Sequence, residues 1–404
     1  MGRMIVVILD GFGVGAMEDV LEQRPNDLGA HTALHILQKN PTLQLKVLEK
    51  LGLMNILGKS INGMYPSQNA AYGKASLTHH GADTFFGHQE IMGTRPKAPL
   101  IEPIKNKIEC IYEQLTKRGY EVRFHQGTKE RILIVQNALT IADNIECDLG
   151  QAFNVTATLD AIEFEEVIKV GKIVREIAVV PRVIAFGGRG INIRNILGAL
   201  EEKVGGYIGI NAPRSGVYNR DYHCIHLGYG VDAHVQVQTI LGEHHIPVYL
   251  LGKVADVCEN RKGISISKVD TQQVLQETIE VVKSTPEGFI CCNVQETDLA
   301  GHQQDVVKYA EVLSIADKKI GEIITYMEQE DLLIVMADHG NDPTIGHNKH
   351  TREYVPLLIY GENLHKGDIG IRATLSDVGA TVAEYFGVES PENGVSFLGG
   401  LRNA

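Results

Sequence analysis

The feature that most constrains this chain is a series of short, unbroken apolar runs rich in β-branched residues. Met4–Leu9, Val248–Leu251, Phe289–Val294, Leu332–Ala337 and Val355–Tyr360 all have this texture. A strand with one wet face alternates polar and apolar residues, whereas a strand covered on both faces does not. Helical patterns lie between several of the runs. Val306, Ala310, Leu313, Ile320, Ile324 and Met327 recur at three-, four- and seven-residue steps, which predicts a helix with one buried face. Asp232–Leu241, Gln272–Ser284 and Ser376–Phe386 read similarly, the last with Ser376 as N-cap and Gly387 as stop. Strand–helix–strand alternation predicts an α/β fold, a mostly parallel sheet flanked by helices.

The middle of the chain differs. From about Lys97 to Arg220 it offers short amphipathic helices, Ile104–Arg118 and Ala161–Ile177, and short strands, Arg131–Val135 and Arg182–Phe186. At 404 residues the chain is too long for one ordinary core. The expected organisation is a core built from 1–96 and 221–404, interrupted by a smaller α+β domain over 97–220. Loops near Arg95–Pro99 and Gly216–Asp221 are the expected hinges, and an insertion of this kind makes a natural lid.

The chemistry sits where the apolar runs stop. Met4–Leu9 runs into Asp10, Phe289–Val294 leads to Asp298 and His302, and Leu332–Ala337 runs into Asp338 and His339, with His350 further on. In an open parallel sheet the C-terminal ends of the strands face one crevice. Carboxylates and imidazoles gathered there make a site for divalent cations. A fourth stretch, Ala82–His88, contributes the hydroxyl of Thr84, flanked by Asp83 and His88 where its rivals Thr78 and Thr94 are not. A threonine hydroxyl needs a metal or a base to act as a nucleophile. Two metals beside such a hydroxyl are equipment for phosphoryl transfer.

Blander readings stand beside these. Asp10 could cap a turn, and Gly11–Ala16 also fits a dinucleotide-binding fingerprint, although a carboxylate at its entry would repel a pyrophosphate. Asp298 could be a helix-capping acid with His302 exposed four residues on; in a helix the two would instead share a face and chelate one ion.

A net charge of -12 argues against nucleic acid as a main partner, since phosphate-backbone binding draws on excess Lys and Arg. It is compatible with a small phosphorylated substrate, because bound metals dominate the local field. The first apolar run is too short for a signal peptide or a membrane span. Cys110, Cys147, Cys224, Cys258, Cys291 and Cys292 are scattered without a disulfide-like pattern. Cytoplasm is the expected compartment, with no membrane partner; oligomeric state is not legible.

In chain order, Asp10-Gly11-Phe12-Gly13, Asp83-Thr84 followed by Gly87-His88-Gln89-Glu90-Ile91-Met92-Gly93, Asp298 with Gly301-His302, Ala337–Thr344 and His350–Pro356 resemble the phosphopentomutases, a binuclear-metal branch of the alkaline phosphatase superfamily. The resemblance runs from Met4 to about Gly387 and is thin in the inserted block. It implies an alkaline-phosphatase-like core and an intramolecular phosphotransferase. It also implies one metal on Asp298, His302 and His350, a second on Asp10, Asp338 and His339, and Thr84 beside it as phosphate carrier. Two divalent ions, manganese by family habit with zinc as the alternative, would serve a small phosphorylated sugar of the ribose 1-phosphate/ribose 5-phosphate type. Lys253 resembles a family lysine near the substrate phosphate.

The chain also departs from the pattern. Asp298 and His302 are separated by one residue fewer than is usual in the family, as in cofactor-independent phosphoglycerate mutases. In the inserted block a substrate-contacting Ser-x-Asp falls on Val155-Thr156-Ala157, and a family arginine falls on Phe186, with Arg189, Arg214 and Arg220 near enough to substitute. The metal chemistry is kept while the pocket is rewritten. The expected function is therefore a metal-dependent phosphomutase. A paralogue with another substrate, a phosphatase or phosphodiesterase on the same scaffold, and a binding protein that lost turnover are the alternatives.

Overall fold

A computed structural model describes residues 2–146, 149–362 and 364–402; Cys147 lies outside them. The chain divides into two compact units, one of Lys97–Val231 and one of the segments on either side.

Among the described residues, the first unit is built on eight strands. In chain order they are β1 (Arg3–Leu9), β2 (Ala71–Ala75), β3 (Val248–Leu251), β4 (Ile264–Ile266), β5 (Gly288–Val294), β6 (Leu332–Met336), β7 (Val355–Tyr360) and β8 (Gly367–Arg372). Their spatial order is β4-β3-β5-β1-β6-β7-β2-β8. The five strands from β4 to β6 are mutually parallel. β7 runs antiparallel to both neighbours, and β2 and β8 return to the common direction. Every residue of β1, β5 and β6 is buried, which is why these runs carry no alternation.

Five helices matter for the site: α1 (Thr84–Ile91), α2 (Lys253–Val257), α3 (Glu296–His302), α4 (Val306–Thr325) and α5 (Ser376–Phe386). Asp83 caps α1, its side chain accepting from the Phe86 amide. Asp305 caps α4 by accepting from the amides of Val307 and Lys308. Gly387 ends α5 in the left-handed conformation, as expected, but Ser376 is not its cap. Leu375 occupies that position with no side-chain cap bond, and the Ser376 hydroxyl donates to the Thr94 carbonyl instead. The helix expected over Asp232–Leu241 is broken. A 3-10 turn at Ala233–Val235 and a helix at Val237–Glu243 flank Gln236, whose backbone is extended.

The second unit has its own sheet and its own core, centred on residues such as Ile141, Phe153, Val155, Val170 and Val183. The strand His223–Gly228 pairs antiparallel with Arg182–Gly188 in this sheet, so the segment after 220, expected in the core, continues the second unit to Val231. No helix among the described residues is long and apolar enough to cross a membrane.

Candidate metal centre and active site

Parallel strands deliver their C-terminal ends to one edge of the sheet, and the sheet order puts β1 between β5 and β6. Asp10 follows β1, Asp298 sits in α3 just after β5, and Asp338 and His339 follow β6. β7 points the other way, so its N-terminal end, preceded by His350, arrives at the same edge. Lys253 opens α2 directly after β3.

All seven residues singled out from the sequence as ligands or nucleophile meet there. Asp298, His302 and His350 form one group able to hold an ion. Asp10, Asp298 and His339 form another, and Asp10, His88 and Asp338 a third. His302 Nε2 and His350 Nε2 approach opposite oxygens of Asp298, each at 3.4 Å. His339 Nε2 lies 3.5 Å from Asp10 Oδ1 and 3.3 Å from Asp338 Oδ2. The Thr84 hydroxyl, at the first turn of α1, donates to Asp338 Oδ2 at 2.7 Å.

The surroundings fix how these groups present themselves. His302 Nδ1 faces the Asn348 carbonyl at 2.7 Å, His350 Nδ1 the Ala82 carbonyl at 2.8 Å and His339 Nδ1 the Gly340 carbonyl at 2.9 Å. A carbonyl can only accept, so each Nδ1 carries a proton and each ring turns its Nε2 inward, toward the carboxylates. His302 Nε2 and His350 Nε2 lie 3.0 Å apart. The buried atoms His339 Nε2 and Asp10 Oδ1 have no hydrogen-bond partner. Converging ring nitrogens and an orphaned carboxylate oxygen are costly unless a cation lies among them. This donor set of carboxylates and imidazoles fits divalent metals.

His88 was legible as a neighbour of Thr84 but not as part of the cluster. Its place four residues on along a helix was the available signal. Its Nδ1 lies 2.8 Å from the Thr84 carbonyl and 3.2 Å from Asp338 Oδ2, and Asn293 Nδ2 lies 2.9 Å from its Nε2. With both nitrogens engaged, His88 orients Asp338 rather than offering a free lone pair.

Lys253 reaches into the acids, its ammonium 2.9 Å from Asp10 Oδ2 and 3.4 Å from Asp298 Oδ2. Burial disfavours that charge, but Asp10, Asp298 and Asp338 raise its pKa above the usual lysine value. Burial, with Asp338 alongside, pushes Asp10 up to about 7. Burial acts on Asp298 in the same sense but is outweighed by His350, His302 and Lys253, which hold it well below the usual carboxylate range. His339, His88 and Lys253 do the same for Asp338. Burial lowers His339 to about 3.

Sequence reasoning passed over Asn341. Its Nδ2 donates to Asp298 Oδ1 at 2.7 Å and to the Asp298 carbonyl at 3.1 Å. A Cβ on Gly301 would fall 2.4 Å from Asn341 Cγ, and one on Gly11 would fall 2.9 Å from Asn341 Cβ. The two glycines therefore leave the room in which this amide sits. Gly11 also has φ +72, and no helix begins until Val20, so the segment does not make the strand-to-helix turn of a dinucleotide site.

The model of the Metalloenzyme superfamily matches residues 2–390. A phosphopentomutase of Caldanaerobacter subterraneus subsp. tengcongensis is 32% identical, over 98% of this chain and 97% of its own. The chain belongs to the phosphopentomutase family. It is accordingly an enzyme, a metal-dependent phosphomutase. Another phosphopentomutase, from Desulfitobacterium hafniense, is 32% identical over 99% of this chain and 100% of its own. Among solved structures, a phosphoglycerate mutase of Leishmania mexicana aligns with a TM-score of 0.49 at 12% identity, covering 98% of this chain and 97% of that one.

Of the arginines expected near a substrate, Arg189 and Arg214 are engaged within the second unit. Arg189 donates to Asp221 Oδ2 at 2.8 Å and to the Leu159 carbonyl at 2.7 Å. Arg214 donates to the carbonyls of Gly198 and Leu200 and pairs with Glu201. Arg220 is exposed, its carbonyl accepting from the Arg189 amide.

Proposed function

We propose that this enzyme interconverts ribose 1-phosphate and ribose 5-phosphate, or closely related pentose phosphates, through a phosphorylated Thr84. The observation that carries the reading is the Thr84 hydroxyl held 2.7 Å from Asp338 inside a buried cluster of carboxylates and inward-facing imidazoles. In the forward half, a sugar hydroxyl attacks the phosphorus of phospho-Thr84. The bond between phosphorus and the Thr84 Oγ breaks, and the proton lost by the attacking hydroxyl is balanced by one taken up on the departing Thr84 oxygen as the sugar bisphosphate forms. In the return half, the Thr84 hydroxyl attacks the other phosphate of that bisphosphate and the bond between phosphorus and the sugar oxygen breaks. The proton lost by Thr84 is balanced by one on the freed sugar hydroxyl, and the product monophosphate departs. Atoms balance over the cycle, and no phosphate is released.

Asp298, His302 and His350 would hold one divalent ion and Asp10, Asp338 and His339 a second, manganese being the ion proposed and zinc the alternative. Such ions supply charge stabilisation on the transferring oxygens and favour the Thr84 alkoxide. His88 keeps the Asp338 carboxylate aimed at Thr84. Lys253 presents its ammonium beside the carboxylates, where a substrate phosphate would meet it. The relatives' shared name supports the pentose, and the five described cysteines, all free, support a reducing compartment such as the cytoplasm.

A second reading, the same chemistry on another phosphorylated sugar, is favoured by Phe186. The resemblance places a family arginine at this position, and here the phenyl ring packs against Tyr218 and Tyr222. A panel of phosphorylated sugars, followed for isomerisation and for inorganic phosphate, decides. Isomerisation of ribose 1-phosphate without phosphate release supports the proposal. Steady phosphate release makes the enzyme a phosphatase instead, and turnover of another sugar in preference to ribose favours the second reading.

A further inference from the structure

Behind α1, the helix that carries Thr84, lies a chain of buried amides that the chemistry above does not use. Gln89 of α1 donates through Nε2 to the Val257 carbonyl at 2.6 Å. Its Oε1 therefore faces the other way and accepts from Gln236 Nε2 at 2.7 Å. Gln236 spends its second N–H on the Thr94 hydroxyl, also at 2.7 Å. Its own Oε1 accepts from Gln238 Nε2 at 2.7 Å, and Gln238 donates again to the Glu259 carbonyl at 3.1 Å. Gln89, Gln236, Gln238 and Thr94 are each at most 2% exposed.

The two ends of this chain are backbone carbonyls, which only accept, so every amide in between has one allowed orientation. Gln236 sits at the centre with both donors committed. Its position in the sequence gives the network its meaning. The chain leaves the first unit after Pro96 and returns at Asp232. Thr94 is on the outgoing segment, and Gln236 is on the returning one, at the extended residue between the 3-10 turn and the following helix. Val257 and Glu259 bracket the C-terminal end of α2, whose first residue is Lys253. Backbone bonds reinforce the arrangement. The Val237 amide donates to the Met92 carbonyl at 2.9 Å, and the Thr94 amide to the Gln89 carbonyl at 3.0 Å.

We infer that Gln236 is a positioning residue. It locks the nucleophile helix α1, the lysine helix α2 and both chain crossings into one arrangement, and through it the Thr84 hydroxyl keeps its place against Asp338. Apolar residues of similar size would fill this space without any polar desolvation, but they would not dictate a single orientation. The functional part of the inference rests on Thr84 being the phosphate carrier; the coupling part does not.

The test uses the full chain with Gln236→Leu and Thr94→Val. Hydrogen exchange by mass spectrometry should show segments 88–94 and 254–258 exchanging faster together in Gln236→Leu, by about 10-fold, along with the returning segment 232–238 and with the rest of the first unit unchanged. Thr94→Val loosens only the outgoing segment and tests that arm by itself should Gln236→Leu not fold. Phosphoryl uptake on Thr84 from a sugar bisphosphate, followed by intact mass, should slow by about 10-fold or more in Gln236→Leu, because small misplacements of reacting groups are expensive. Exchange that is unchanged in both segments, or faster everywhere alike, overturns the coupling. Uptake at the wild-type rate overturns the functional role. A wild-type chain that takes up no phosphoryl group removes the carrier proposed above and leaves the exchange result to decide the coupling.

Discussion

The Thr84 hydroxyl donates to Asp338 Oδ2 at 2.7 Å, while the other oxygen of that carboxylate accepts the Gly11 amide at 3.2 Å. The carboxylate is thereby tied to β1 and aims its free edge at the first turn of α1. If Thr84 carries the phosphoryl group, Thr84→Ala should lower mutase turnover by at least about 10³-fold, as loss of a nucleophile does. Thr84→Ser, which keeps the hydroxyl, should retain covalent uptake. Intact mass after exposure to a sugar bisphosphate reads both, and full uptake by the alanine variant would assign the transfer to another residue.

Much of this centre was legible because its residues follow buried strands, and parallel strands end together. Asp10, Asp298 and Asp338 were found by that rule. His350 stood out in the crowd of imidazoles and acids between Asp338 and Glu353, but an apolar run does not reveal its direction; the antiparallel course of β7 explains why it arrives at this edge. His88 and Asn341 were missed as members of the site for a different cause. Their importance lies in what they touch across the sheet, and neither spacing nor composition encodes a hydrogen bond to Asp338 or Asp298. The same holds for Gln89, Gln236 and Gln238, which read as ordinary polar residues until the fold buries them. Residues 221–231 were placed in the core because the strand at His223–Gly228 mixes polar and apolar residues without a clean period.

Asn341 holds Asp298 with two hydrogen bonds from one amide, one to the carboxylate and one to the backbone carbonyl, and Gly301 makes room for it. Asn341→Ala should weaken divalent-ion binding by about 10- to 100-fold, the usual cost of removing a partner behind a ligand. Gly301→Ala should do the same by displacing the amide. Calorimetric titration with Mn²⁺ checks both, and unaltered affinity in either variant would show that Asp298 needs no such support.

Glu90 is fully buried on α1 and accepts from the Thr78 and Thr374 hydroxyls, the amides of Thr78, His79 and Leu375, and His79 Nδ1. Burial opposes its charge, but these partners, His79 foremost, bring its pKa down to about 2 from 4.5. A depressed carboxylate contributes stability above its unfolded value that is lost as pH falls through the folded one. The window is therefore between about pH 4.5 and 2, and the amount at stake is roughly 3 kcal/mol. Glu90→Gln should lower stability at pH 7 and flatten the acid limb of the unfolding curve. Denaturant titrations across that range test it; a limb as steep as that of the wild type would place the acid sensitivity elsewhere.

Lys253 and the metal ions compete to compensate the same carboxylates. Its side chain is 13% exposed and its ammonium contacts Asp10 and Asp298. Without added ions, Lys253→Met leaves both acids short of a cation, a change that costs about 3–5 kcal/mol for a buried pair broken on one side. Divalent ions bound to the folded chain stabilise it by mass action, by about 2.7 kcal/mol at a hundredfold excess over Kd. That gain should be larger in Lys253→Met than in the wild type, because the ions then supply the compensation that the lysine no longer gives. Thermal melts of both proteins, with chelator and with excess Mn²⁺, should show a wide gap that narrows when the ions are added. A gap of the same width in both conditions would mean that the lysine and the metals do not share these acids, and that the ammonium serves something other than charge balance.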